Sequence, residues 1–104
     1  MLLNNALPNL SPELTALLIT AGESDLAAQI DSVEIVERCR CGDDFCASFY
    51  PAPKPAGAYG PGHRNVELEP EKGMIILDIV NERIMQVEVL YRDEVRSQLA
   101  SLLP

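Results

Sequence analysis

Apolar positions near the start of the chain follow a helical period. In "LSPELTALLITAGES", Leu14, Leu17, Leu18 and Ala21 recur at intervals of three and four and fall on one face. Ser11 is placed to cap this helix with Pro12 at its first position, and Gly22 to end it. A second start follows at Ser24 before "DLAAQI", where Leu26 and Ile30 share a side, so the spacing predicts a helical pair over residues 11–31. From Val33 the period drops to two. Val33, Ile35, Cys39 and Cys41 lie on one side of an extended segment and Glu34, Arg38 and Arg40 on the other. The "GDD" at 42–44 supplies turn chemistry and "FCASFY" resumes the alternation, which predicts a hairpin over 33–50.

The next elements also read as strands. "NVELEP" suits a brief edge strand, and "MIILDIV" places apolar residues on both parities, as a central strand covered on both faces would. Asn81-Glu82 then turns the chain into "RIMQVEVLYR", where Met85, Val87, Val89 and Tyr91 face one way and Gln86, Glu88 and Arg92 the other. Asp93 is placed to cap a last short helix whose Val95, Leu99 and Leu102 would cover the sheet. Between the two hairpins lies "PAPKPAGAYGPGHR", residues 51–64, with four prolines and three glycines. That composition forbids a helix and starts as polyproline II, so it reads as one long loop rather than a domain linker. The predicted class is therefore α+β: an antiparallel sheet of two hairpins, an N-terminal helical pair and a short C-terminal helix, in one domain spanning 1–104.

A chain of 104 residues should bury roughly 60–70% of its unfolded surface, so a metal is permitted but not needed as a staple. Sixteen acidic side chains against eight basic ones give a net charge of −8, which repels phosphate backbones and favours a basic protein partner. No apolar run is long enough to span a bilayer, and "MLLNNALPNL" lacks the charged and apolar regions of a leader peptide. Three cysteines, two of them separated by one residue, make a poor disulfide framework, so a reducing cytoplasm is expected.

All three cysteines fall within "CRCGDDFC". One reading continues the apolar face of Val33 and Ile35 through Cys39 and Cys41, which then serve as small inward fillers. The alternative is a small zinc-stabilised domain with a Cys3His site of Cys39, Cys41, Cys46 and His63; the first two thiols share a side and the third returns across the turn. The spacings of one and four intervening residues depart from the pairs typical of structural zinc, and a redox centre would need Cys-x-x-Cys. His63 has no partner recognisable in sequence and reads as a loop histidine. Asp78, a carboxylate inside an apolar strand, must reach solvent or find a cation, and Arg83 and Arg92 are the expected partners. Without a nucleophile motif or a phosphate-cradling loop, the expectation is that this is not an enzyme.

"RCRCGDDFCASFY" together with "MIILDIVNERIMQVEVLYRDE" resembles small uncharacterised bacterial proteins that carry a Cys-x-Cys-Gly strand and a C-terminal hairpin of the form Ile-x-x-Ile/Leu-Glu-Val. The resemblance covers roughly residues 33–104 and implies a toxin-immunity role. The expected function is a non-enzymatic acidic protein-binding domain, without a cofactor unless the zinc alternative holds. Its contact surface would be an open sheet face with Glu34, Arg38, Arg40, Gln86 and Glu88, flanked by acidic clusters at Asp43 and Asp44 and at Glu67, Glu69 and Glu71.

Overall fold

The computed structural model describes residues 1–104. Helix α1 spans Leu3–Ala6, α2 Leu10–Thr20, α3 Ser24–Ala27 and α4 Asp93–Leu102; strands β1 (Glu37–Arg38), β2 (Phe49–Tyr50), β3 (His63–Leu68), β4 (Met74–Val80) and β5 (Arg83–Leu90) form one sheet in the order β1-β2-β5-β4-β3. Every pairing is antiparallel. The class is α+β, as the residue pattern predicts.

Helix α2 begins at Leu10, one residue before the expected cap, and no side chain caps it. Ser11 is instead buried and donates its hydroxyl to Asn4 Oδ1, tying α2 to α1. Gly22 ends the helix as expected, with φ of +79° that only glycine adopts without strain. The one-turn α1 carries no sequence signal of its own. Leu3 and Leu7 are nevertheless fully buried, and Leu3 N–H donates to Val33 O at 2.9 Å, which ties the segment to the chain just ahead of β1.

Register explains the core. Val66, Leu77, Val87 and Phe49 form one cross-strand row, and Leu68, Ile75 and Val89 the next, all on the face that meets the helices. These residues join Leu10, Leu14, Leu18, Leu26, Ile30, Val95 and Leu99 in a single cluster of 22 buried apolar side chains. No cysteine belongs to it. Leu102, expected to cover the sheet, is 42% exposed, and Leu103, just past the end of the helix, packs against the core instead.

Strand β4 lies between β3 and β5, as an apolar run on both parities requires. The β4–β5 turn places Asn81 and Glu82 at φ of +51° and +63°, a type I′ geometry matched to strand twist. Glu82 lacks the freedom of glycine but is held: its backbone O accepts from Gln29 Nε2 at 2.6 Å and its carboxylate from Arg64. The first hairpin is shorter than expected, two residues per strand, and the cysteines lie in the loop between β1 and β2. No helix is long and apolar enough to cross a membrane.

Candidate metal centre

After Arg38 the chain leaves the sheet, and residues 39–48 loop over the end of β5. Four backbone contacts pin the loop. Cys39 N–H donates to Ser48 O at 2.8 Å, Ala47 N–H to Val89 O at 2.8 Å, Tyr91 N–H to Phe45 O at 2.9 Å, and Cys46 bridges Leu90. The Ser48 hydroxyl, 3% exposed as a residue, accepts from Val89 N–H at 3.0 Å and lies 3.4 Å from Cys46 Sγ. Gly42 makes the tight reversal at φ +85°.

This path gathers the thiols. The Sγ atoms of Cys39, Cys41 and Cys46 all lie within 4.8 Å of one another, and all three cysteines are free. A metal bound at about 2.3 Å per sulfur needs sulfurs about 3.8–4.0 Å apart, so closure asks for side-chain shifts of under an ångström. Cys39 and Cys46 are half-buried and Cys41 is exposed. The reading of Cys39 and Cys41 as inward fillers is therefore corrected: the strand ends before them, so their parity no longer aims them at the core.

Burial opposes ionisation at two of the thiols, with opposite net results. At Cys39 burial dominates, and with the neighbouring Cys41 and Cys46 sulfurs it pushes the thiol up to about 11. At Cys46 burial is outweighed by hydrogen bonds from Ser48 and from the Cys41 and Cys39 thiols, which leave it below the usual thiol range. Cys46 thus gives up its proton more readily than Cys39. A soft cation is the natural replacement for the remaining protons.

His63 does not join the sulfurs. It opens β3, at the opposite edge of the sheet, where Nε2 lies 2.8 Å from Asp78 Oδ1. Asn65 Nδ2 donates to the same oxygen at 2.8 Å, so Asp78, 7% exposed, is satisfied from β3. The expected partners of Asp78 are corrected accordingly: Arg92 is engaged by Glu13 and Glu94, and no ion pair involves Arg83. Antiparallel register decides this, because Asn65 faces Asp78 directly and His63 is its diagonal neighbour. The hairpin spacing contained that signal, had the β3–β4 turn length been fixed in advance.

The rest of that sheet face is polar but partly covered. Gln86 Nε2 donates to the Tyr50 hydroxyl at 3.3 Å, and Tyr59, from the 51–62 loop, tilts over His63 with ring centroids 5.1 Å apart. Burial, then the Asp78 carboxylate, holds Glu88 above the usual carboxylate range. Asp43, Asp44, Glu67, Glu69 and Glu71 are all exposed. Asp43 and Asp44 sit in the cysteine loop, beside an exposed stacked pair of rings, Phe45 and Tyr91, at 5.3 Å. Glu69 and Glu71 lie in the β3–β4 turn, at the same end of the sheet, because Met74 faces Leu90 and Leu90 faces Cys46. Comparison with known protein families, with curated proteins and with solved structures returned no match to this chain.

Proposed function

We propose that the protein is a metal-thiolate binding domain whose ligands are Cys39, Cys41 and Cys46. The observation that carries this reading is the convergence of three sulfurs within 4.8 Å on a loop fixed to β5. Chain entropy opposes bringing three thiols together in a loop, and the backbone bonds that pin residues 39–48 meet that opposition before any ion arrives. His63 and the zinc-finger arrangement it would complete are not part of the site. The domain binds and does not catalyse.

The experiment is elemental analysis of the reduced full-length chain purified without added metal, alongside C39S, C41S and C46S. One equivalent of metal on the wild type, lost in each variant, supports the reading. A wild type that retains no metal and takes up none when offered zinc or copper removes it.

A second reading has its own observation. Phe45, Met74 and Tyr91 are large apolar side chains exposed at one end of the sheet, bordered by Asp43, Asp44, Glu69 and Glu71. An aromatic centre with an acidic rim on a chain of net charge −8 suits a basic protein partner. A basic toxin neutralised by this domain is the partner class that the bacterial resemblance implies. Its test is the association rate with such a partner, which should fall steeply between low and high salt and fall again in the Asp43→Asn, Asp44→Asn double variant; a salt-independent rate counts against it.

A further inference from the structure

We propose that the three cysteines form a trigonal, all-sulfur site for a soft monovalent ion of the Cu(I) class. This rests on the metal-thiolate reading and adds the identity of the ion. Sulfur spacing alone does not separate the candidates, since tetrahedral and trigonal sites differ by only about 0.2 Å in S···S distance. The donor count favours the ion that needs no fourth ligand. Structural zinc sites close with four protein ligands, and zinc sites with three protein ligands keep a fourth position for water or substrate. Among histidine, cysteine and carboxylate donors, the converging set here is three sulfurs and nothing else.

The imidazole and the nearby carboxylates are placed elsewhere. His63, the only histidine, is bound to Asp78 at the far edge of the sheet. Asp43 and Asp44 belong to the same loop as the sulfurs, yet neither carboxylate converges with them. The set therefore lacks the oxygen or nitrogen donor that a harder divalent ion would use. Thiolate donors suit Cu(I) and zinc alike, and of the two the monovalent soft ion is the one satisfied by two or three sulfurs without a fourth ligand.

The surroundings fit an ion that comes and goes. Cys41 is exposed and gives the ion an approach from solvent, while Cys39 and Cys46 are half-buried and shield the inner side. The core cluster contains none of the three, so the fold does not wait for the ion. On binding, each protonated thiol releases its proton to solvent as its sulfur–metal bond forms. Up to three protons leave per ion, and no electron is transferred.

The test uses the reduced full-length chain under anaerobic conditions, titrated with Cu(I) held by a chelator of known affinity, with Zn(II) in a parallel series. X-ray absorption then counts the sulfur neighbours. The expected result is one Cu(I) per chain with three sulfurs at about 2.3 Å. Each of C39S, C41S and C46S should reduce the count to two and weaken binding by more than about 100-fold, beyond the effect of losing an outer-shell partner. A two-sulfur copper site indifferent to one of the three replacements overturns the proposal. So does a zinc ion held by three sulfurs and an oxygen or nitrogen donor that Cu(I) fails to displace, although the broader metal-thiolate reading then stands. Retention of neither ion overturns both.

Discussion

Arg92 offers the sharpest energetic test of how the helices are fastened to the sheet. Its side chain, 9% exposed, donates Nη1 and Nη2 to the two oxygens of Glu13 at 2.9 and 2.7 Å and Nε to Glu94 at 2.8 Å, with a further contact from Nη1 to Lys72 O at 3.3 Å. Glu13 lies on α2 and Arg92 just past β5, so the pair joins distant parts of the chain. Breaking a fully buried pair costs about 3–5 kcal/mol, and an exposed one contributes about 0–1 kcal/mol. With Glu13 at 29% and Glu94 at 49% side-chain exposure, Arg92→Met falls between these limits, at about 2–3 kcal/mol. An unfolding entropy of about 2.1 cal/mol/K per residue turns that into a Tm loss of about 9–14 °C for a chain this long. Urea unfolding of Arg92→Met, Glu13→Gln and the double variant should give a coupling energy of about 1.5 kcal/mol or more, largely retained at high salt. A coupling below about 0.5 kcal/mol would refute the argument that this network is desolvated enough to matter.

Three further outcomes follow from single features. Gly73 has φ of +75°, and a Cβ there would sit 2.4 Å from Leu90 O; Gly73→Ala should therefore destabilise by at least about 2 kcal/mol, read as a lowered urea midpoint. Because the folded-state pKa of Glu88 is raised, its contribution to stability is present below the unfolded value and is lost as pH rises through the folded one. Glu88→Gln should thus be more stable than the wild type near neutrality, with the advantage gone below the ordinary glutamate range of about 4.3; a pH-independent difference would contradict the assignment. Replacing all three cysteines by serine should shift metal-free stability by no more than about 1 kcal/mol, since none lies in the core. A structural zinc site, in contrast, supplies about 10–16 kcal/mol of folding free energy, so a metal-free wild type that is unfolded by circular dichroism would count decisively against a peripheral site.

Local periodicity was enough to reveal the α+β class, the α2 face of Leu14 and Leu18, and the β4–β5 hairpin, because these patterns repeat over many residues and are set by side chains that must leave water. The alternation also located the β1–β2 hairpin but overextended it through the cysteines. There the backbone finds its partners at Val89 on β5 and at Tyr91 just past it, and no periodicity within residues 39–48 encodes a bond to a segment forty residues later. Tertiary pairing alone decided where the thiols point. The same holds for His63 and Asp78, fifteen positions apart, which meet because β3 and β4 pair in one register and no other. The residue types thus supplied the chemistry, three soft donors, one imidazole and one buried carboxylate, while the sheet order separated the imidazole from the sulfurs. That separation is physical: side chains act together only when the strands and loops that carry them are hydrogen-bonded into neighbouring positions, and those bonds form between segments far apart along the chain.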